Sequence, residues 1–423
     1  IREPRGAPRM QPARSLAQLD DFKVKGSKFG IALSWDHGGG AVVDLDLQGI
    51  AFSNAGKLID AVYFNNLKAL RGALTHSGDE ITGAKQGFDE MIWVHFPRLA
   101  AEVHLICFVV SCYRGGSLRD ARNGKLHLLE DVLGHEVGKF NLTQANGRSV
   151  MVGGVYRGAG GWTFRMVEEA VNGQHFIDIL EPTIGNFVRQ LIPSAPRRIK
   201  AAFAMEKGSV VDLPRSNEIQ QTVAGLGWDT TMGEVDIDVS AVLLDRNVQE
   251  LECVFFGNEE TQGIKHSGDN LTGHGSGDDE TITIDLQALH PAVDQIVFVV
   301  NIYSKGTSFA QVANPYCRLV NAGGEEFCRY QLKEAGNEQA LIMARLFRPP
   351  GGIRWSFQAI GAPCKGQTYK DSMPAVIKYA RAKPSDLAAT RSLSAFGSSL
   401  DLGAGGADGG GEVTVLEGAD RTT

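Results

Sequence analysis

The sequence predicts an all-β protein that consists of two tandem antiparallel β-sandwich domains with a few short helices. Short runs of β-branched and aromatic residues recur along the chain, and Gly, Pro, Asn or Asp bounds most of them. Such runs are typical of sandwich strands, whereas stretches with helical periodicity are rare here. With 423 residues, 43% of them hydrophobic, the chain can bury more than one core.

An internal duplication determines the domain organisation. Trp35-Asp36 recurs as Trp228-Asp229, and Asp44-x-Asp46 recurs as Asp236-x-Asp238. Because the spacing between matching motifs stays nearly constant, each copy is a whole domain rather than a short solenoid repeat. The predicted organisation is a disordered segment over 1–22, a first domain over 23–192, a linker over 193–204, a second domain over 205–383 and a disordered Gly/Ser-rich tail over 384–423.

The predicted elements within each copy are mostly short strands. In the second copy they cover 241–244, 252–256, 281–286, 295–302, 316–320, 326–332, 339–347 and 354–360. One helix is expected after the last strand of each copy, over 172–190 and over 372–381. Both helices are therefore additions to a β framework.

Composition narrows the class of protein. The net charge of −7 argues against a nucleic-acid partner, because no large basic face is implied. No apolar run reaches the roughly 18 residues that a membrane span needs. Six cysteines without a Cys-x-x-Cys pair fit a reducing compartment, so a cytoplasmic location is expected. The Arg-rich start at Ile1 suggests an incomplete or processed terminus and leaves organelle targeting open, and peripheral membrane association also stays open.

The stretch 268–280 is an acidic, glycine-rich loop. No Lys or Arg occurs between Ser267 and Leu289 to neutralise it. Carboxylate and amide oxygens on a tightly folding backbone are what Ca²⁺ prefers, although the spacing is not that of an EF-hand. A solvated Gly/Asp turn is the alternative. The oxygen-bearing side chains of this loop are Asp269, Asn270, Asp278, Asp279 and Glu280.

A second pair of acids strengthens the metal interpretation. Asp236 and Asp238 alternate with apolar residues, so in a strand both carboxylates point to one face. Together with the acidic loop they could supply the roughly six to eight oxygens that Ca²⁺ takes. By itself the pair also fits an outward-facing strand with two exposed acids.

Several ordered motifs of the second copy resemble the TerD family of tellurium-resistance and stress proteins. They are Gly225-Leu226-Gly227-Trp228-Asp229, the strand 236–241, His266-Ser267-Gly268-Asp269-Asn270, Gly277-Asp278-Asp279-Glu280 and the run 296–300. The resemblance covers residues 205 to 380. It implies a β-sandwich that binds calcium, with no recognised catalysis and a role in chemical stress. Cyclic-nucleotide binding is implied only for some eukaryotic relatives.

The resemblance also implies a ligand set in each copy. For the second copy the expected metal ligands are Asp236, Asp238, Asp269, Asn270, Asp278, Asp279 and Glu280, and Asp229 either joins them or caps a turn. The first copy keeps Asp44, Asp46, Asp79, Asp89 and Glu90. There, however, Glu80 replaces the Asn, Lys85 enters the loop, and Phe88 stands at the position of Asp278. This degenerate loop is expected to hold one ion at most, and a metal-free first copy is the alternative.

Three functions from different classes remain. The leading hypothesis is a non-enzymatic, calcium-stabilised scaffold that binds an unidentified protein partner. A sensor of cyclic nucleotides or other small ligands would need a concave pocket with an Arg that faces the phosphate. A metal-dependent hydrolase would need an open coordination position and a base near Asp278, and the sequence shows no such base.

Overall fold

The described residues form two sandwiches in succession, each built from a seven-stranded and a six-stranded sheet. The computed structural model describes residues 14–15, 21–36, 43–114, 116–130, 135–142, 145, 147–215, 221–230, 235–269, 277–332, 336–349, 354–384 and 386–387. Most of the predicted 384–423 tail and most of the predicted 1–22 segment lie outside these residues. All six cysteines are free thiols.

Within the described residues, the first copy contains thirteen strands. They are β1 Arg14–Ser15, β2 Phe22–Lys23, β3 Lys28–Asp36, β4 Asp44–Ser53, β5 Leu58–Val62, β6 Lys68–Ala69, β7 Leu74–His76, β8 Glu90–His95, β9 Val103–Arg114, β10 Arg122–Glu130, β11 His135–Asn141, β12 Ser149–Gly158 and β13 Gly161–Val171. The seven-stranded sheet has the order β1-β11-β10-β3-β8-β7-β6, and the six-stranded sheet has the order β2-β13-β12-β9-β4-β5.

The second copy repeats this topology strand for strand. Its strands are β14 Phe203–Met205, β15 Val210–Asp212, β16 Gln221–Thr230, β17 Ile237–Leu244, β18 Glu250–Val254, β19 Glu260–Thr261, β20 Ile264–His266, β21 Glu280–Asp285, β22 Gln295–Ile302, β23 Val312–Asn321, β24 Glu326–Gln331, β25 Ala340–Phe347 and β26 Ser356–Cys364. The sheet orders are β14-β24-β23-β16-β21-β20-β19 and β15-β26-β25-β22-β17-β18. The prediction of an all-β duplication is thus confirmed.

Each copy begins with a short strand at the edge of its larger sheet. β1 pairs in parallel with β11, and β14 pairs in parallel with β24, whereas the other strand pairs described are antiparallel. β1 lies in the segment predicted to be disordered, and the first residues of β14 lie in the predicted linker. Both segments therefore contribute backbone hydrogen bonds that the sequence pattern did not indicate.

The helices are short. The helix predicted over 172–190 is instead a 3-10 turn at Phe176–Ile179, a wide turn at Leu180–Ile184 and helix α1 at Gly185–Leu191. Glu181 has an extended backbone (φ −127°, ψ 137°), which suits a residue that precedes a proline. Helix α2 spans Tyr369–Arg381, three residues earlier at its start than predicted. Additional 3-10 turns lie at Leu70–Gly72, Phe96–Arg98, Leu118–Asp120 and Phe309–Gln311.

No helix among the described residues combines the length and apolar character required to cross a membrane.

Two large hydrophobic cores organise the fold. Inside the first sandwich, Phe29 and Ile31 of β3 pack against Phe108 and other residues of the six-stranded sheet. The second core fills the second sandwich and continues, without interruption, to Met151 and Phe187 on the outer face of the first copy. The two copies therefore share buried apolar surface, which stabilises their arrangement.

Candidate metal sites

Three aspartates converge at the same place in each copy. Asp44, Asp46 and Asp79 each offer a carboxylate oxygen, and these oxygens lie within 4.8 Å of one another. Asp236, Asp238 and Asp269 meet the same criterion in the second copy. In both groups, called here the first and second acid triads, the last aspartate is exposed while the middle one is buried. An ion could therefore enter from solvent.

Strand geometry positions the first two members of each triad. Asp44 and Asp46 lie at the start of β4, where alternation puts both carboxylates on one face. In the second copy Asp238 lies in β17, and the N–H of Asp236 donates to Ser304 Oγ at 3.0 Å. The predicted pairing of these acids on one strand face thus agrees with their convergence.

A histidine-glycine turn positions the third member. Gly78 and Gly268 have φ of 110° and 95°, which a residue with a Cβ rarely adopts. Their N–H groups donate to Nδ1 of His76 and His266 at 3.1 and 3.0 Å. The turn that presents the aspartate therefore depends on a buried histidine, a role that the sequence analysis had not assigned although the motif recurs in both copies.

The triads carry more negative charge than their surroundings neutralise. Burial and the nearby Asp79 raise the pKa of Asp44 to about 7, and burial and Asp236 raise the pKa of Asp238 to about 7. The pKa of Asp46 is raised well above its usual range, mainly by burial. Three buried oxygens, Asp44 Oδ1, Asp46 Oδ2 and Asp236 Oδ1, have no hydrogen-bond partner among the described residues. Oxygen-only donors in this state fit a hard cation such as Ca²⁺.

The aspartate at the end of each loop accepts a hydrogen bond from the backbone of the neighbouring strand. Asp89 and Asp279 accept from the N–H of Trp35 and Trp228, at 2.8 Å in both copies. Each carboxylate thereby ties its loop to β3 or β16. Neither residue belongs to a triad.

The neighbouring glutamates are fully buried. Glu90 and Glu280 accept from the N–H of Leu47 and Val239, again at 2.8 Å. They also approach the histidines of the turns, with His76 Nε2 at 3.4 Å and His266 Nε2 at 3.5 Å. These contacts join the two sheets beneath each triad. The structure places both glutamates behind the triads rather than within them.

Asp278 lies in a different environment from the second triad. Arg318 Nε donates to its Oδ1 at 2.8 Å and Nη2 donates to its Oδ2 at 3.1 Å, while the Tyr316 hydroxyl donates at 2.9 Å. A Cβ on Gly225 would lie 2.0 Å from Asp278 Oδ2, so a larger residue there would displace this carboxylate. Asp278 thus packs over the seven-stranded sheet, where β23 supplies the cation that the loop lacks.

The first copy shows that this is a packing position. Phe88, which occupies the place of Asp278, packs against His127 with ring centroids 4.9 Å apart. His127 has the same place on β10 that Arg318 has on β23. An ion pair in one copy is thus an aromatic contact in the other.

Asp229 is held by an asparagine of the neighbouring strand. Its Oδ2 accepts from Asn314 Nδ2 at 2.9 Å, and Asp36 accepts from Asn123 in the first copy. Both asparagines have φ of 52°, a left-handed conformation that Asn tolerates. This contact joins β16 to β23 and is neither of the two roles predicted for Asp229. Asn270 lies outside the described residues.

Two basic residues distinguish the first triad from the second. Arg114 Nε lies 3.9 Å from Asp44 Oδ2, at the position that Ser304 occupies in the second copy. Lys85, predicted to bring a cation into the loop, donates instead to the carbonyl oxygen of Asp89 at 3.4 Å. The positive charge nearest to the first triad therefore comes from β9, and the loop substitutions leave the three aspartates together.

Comparison with known proteins matches both copies. The TerD domain family profile matches residues 15–180 and 201–370. Tellurium resistance protein TerZ from Serratia marcescens is 36% identical over 183 residues, which cover 40% of this chain and 93% of that protein. General stress protein 16U from Bacillus subtilis is 37% identical over 179 residues, which cover 39% and 92%. The crystal structure of a homologue of telluride resistance protein (TerD) from Streptomyces coelicolor A3(2) aligns with 18% identity and a TM-score of 0.33, covering 36% and 94%. The chain therefore belongs to the TerD domain family, as a tandem duplication of its domain.

Proposed function

We propose that this protein is a non-enzymatic stress-response scaffold that binds one Ca²⁺ at each acid triad. The stress-response role is supported by relatives named as tellurium-resistance and general stress proteins. The calcium role is supported by the donor atoms, which are carboxylate oxygens in both copies.

The observation that carries the calcium proposal is the recurrence of the triad. The loops of the two copies differ, with Lys85 and Phe88 in one and Asp278 in the other, yet the three aspartates meet within 4.8 Å in both. Carboxylates at such short distances repel one another, and this repulsion costs free energy unless a cation or protons neutralise them. Both copies keep this unfavourable cluster although their loops have diverged. This favours a ligand that binds in both copies.

Bound calcium would link strand and loop. Asp44 and Asp46 belong to β4, whereas Asp79 follows β7 in the other sheet, so an ion held by all three would join the two sheets at the rim. A ligand that binds only the folded state stabilises it, by about 2.7 kcal/mol at a hundredfold excess over Kd. The rim loops would then present a fixed surface to a protein partner.

Calorimetric titration of Ca²⁺ into the whole chain tests the proposal. We expect two ions per wild-type chain, one per chain for Asp46→Asn or Asp238→Asn, and none for the double variant. Asp229→Asn is the matched control, because Asn keeps an acceptor for Asn314, and it should bind two ions. Two ions in the double variant, or none in wild type, would refute the calcium sites.

A thermal measurement separates binding from stabilisation. Wild type should unfold at a lower temperature in chelator than in calcium, and the Asp46→Asn/Asp238→Asn variant should show no such difference. Equal unfolding temperatures for wild type under both conditions would contradict the structural role of the ion. Turnover of phosphoesters by the calcium-loaded chain, lost in the double variant, would replace the scaffold with a hydrolase.

A further inference from the structure

The interface between the copies consists of an aromatic face on the first copy and a strand edge on the second. The face is formed by Tyr63, Phe64, Tyr113 and Phe176, with ring centroids 5.1 to 6.0 Å apart. Strand β15 covers it: the Tyr63 hydroxyl donates to the Val210 carbonyl at 3.2 Å, and the Asp212 N–H donates to the Tyr63 oxygen at 3.0 Å.

An ion pair closes the same interface. Arg354, beside β26, donates from Nη2 and Nη1 to Asp178 at 2.9 and 3.2 Å. Asp212 lies next to this pair, and the charge of Arg354 acts on it. The first copy thus offers an acid beside its aromatic face, and the second copy brings the cation.

The second copy repeats the aromatic face. Phe255 and Phe256 form the same edge-to-face pair as Tyr63 and Phe64, and Phe255 forms the same strand bridge, to Asn258, that Tyr63 forms to Asn66. Tyr369 lies 5.4 Å from Phe255, as Phe176 lies near Tyr63. Tyr303 directly follows β22, and Tyr113 has the equivalent position one residue before the end of β9. Asp371 caps α2 as Asp178 caps its turn.

This second face is open. Tyr303 is 55% exposed and Phe256 is 40% exposed, whereas Tyr113 is 2% exposed. They are two of the four large hydrophobic side chains that are exposed within the described ranges. Asp371 is exposed too, and the described residues supply no salt bridge to it. Exposed apolar side chains at positions equivalent to those of a buried interface, together with an exposed acid, are typical of an interaction surface.

Within the described residues, the first copy carries a matching edge strand that is paired on one side only. β2 pairs with β13 as β15 pairs with β26, so Lys23 stands where Asp212 stands in the second copy. Lys23 is exposed and lies on the edge strand of its sheet. Placed like Asp212, it would bring a positive charge next to Asp371. The charges of edge and face are therefore complementary.

We propose that a second copy of this chain docks its β2 edge on the open aromatic face, in the placement that β15 has on the aromatic face of the first copy. This contact is heterologous, because each chain uses one surface to receive and another to insert. It leaves a free face and a free edge at the ends, so assembly continues head to tail. The inference goes beyond the calcium proposal and does not depend on it.

Sedimentation velocity of the whole chain over a wide range of concentrations tests the docking. The average mass of wild type should rise above the 45.5 kDa of one chain as concentration increases. Phe256→Glu charges the receiving face, and Lys23→Glu reverses the charge of the inserting edge; each variant alone should stay at the mass of one chain. Tyr303→Glu is a second receiving-face variant, and circular dichroism verifies that each variant is folded.

Mixing the variants gives the sharpest result. Phe256→Glu keeps its β2 edge and Lys23→Glu keeps its aromatic face, so an equimolar mixture should form dimers and stop there. Ile81→Glu is the matched control, since Ile81 is 45% exposed but lies outside both surfaces, and it should associate like wild type. A wild type that stays at 45.5 kDa, a mixture that stays monomeric, or equal loss of association in Ile81→Glu would overturn the proposal.

Discussion

Arg318 on β23 holds the carboxylate of Asp278 through two hydrogen bonds, of 2.8 and 3.1 Å, across the seven-stranded sheet of the second copy. The pair is partly buried, with Tyr316 donating a third hydrogen bond to the same carboxylate. Asp278 thereby contributes to packing, and Arg318 of the same chain supplies a positive charge next to it.

The first prediction concerns this pair. Asp278→Asn and Arg318→Gln should each lower the free energy of unfolding, and the double variant should lose less than the sum, with a coupling of about 1 kcal/mol. All three variants should still bind two calcium ions per chain. Denaturant titration and calorimetry provide the measurements. If Asp278→Asn lost one ion, Asp278 would be a ligand after all.

A second prediction concerns the difference between the triads. Arg114 lies 3.9 Å from Asp44 and competes with an incoming cation, whereas Ser304 stands there in the second copy. Removing that charge with Arg114→Ser should tighten calcium binding at the first triad severalfold, or roughly 1 kcal/mol at surface-like screening. The titration is done on the Asp238→Asn background, which leaves only the first triad. Arg119→Ser, an exposed arginine, is the control and should leave the affinity unchanged.

The third prediction concerns pH. Burial, aided by the charge of Arg354, lowers the pKa of His175 well below its usual 6.5, so the folded histidine stays neutral where the unfolded one takes a proton. The unfolded state then binds more protons, and stability falls as pH drops below 6.5, by at most about 1.4 kcal/mol per pH unit. Asp212, 3.7 Å away with a pKa raised by burial, acts in the opposite direction.

A comparison of variants isolates the histidine. Between pH 7.5 and pH 5.5, roughly one unit to either side of the usual histidine pKa, His175→Gln should lose less stability than wild type in urea titrations. His290→Gln, at an exposed histidine, should behave like wild type. Identical pH dependence in wild type and His175→Gln would show that His175 takes up its proton in the folded chain.

The fourth prediction concerns the coupling of the two copies. Arg354→Met removes both hydrogen bonds to Asp178 and leaves Asp212 buried without its nearby cation. Loss of one partner from a buried pair costs about 3–5 kcal/mol, and this cost falls on the interface. Differential scanning calorimetry should resolve two unfolding transitions in place of one. Arg246→Met, at an exposed arginine, should keep the wild-type transition, and a single transition in both variants would place the coupling elsewhere.

The local pattern of apolar and polar residues was sufficient to predict much of the fold. The apolar run 295–302 coincides with β22, because a strand buried on both faces reads as a continuous hydrophobic segment. The helix predicted over 172–190 is confirmed only in part, because the α-helical residues are limited to Gly185–Leu191 and the turns before them contain Pro182. The edge strands β1 and β14 were missed because two or three residues carry no periodicity.

The candidate sites were also predicted only in part from the sequence. Alternation predicted that Asp236 and Asp238 share a face, and the repeated His-Ser-Gly-Asp motif indicated Asp269. The partner of Asp278 could not be predicted, because Arg318 becomes its neighbour only when β23 pairs with β16. The loop sequence contains no cationic residue, but this did not predict the charges around the folded loop, because Arg318 comes from a distant strand.

The uninterrupted core that connects Met151 and Phe187 to the second sandwich has an evolutionary consequence. If either half were deleted, the remaining half would expose to water the apolar surface that the deleted half now covers. The remaining half would then be less soluble. The duplication is in this sense difficult to reverse. Selection for the function of one half therefore also maintains the other half, because the other half covers its apolar surface.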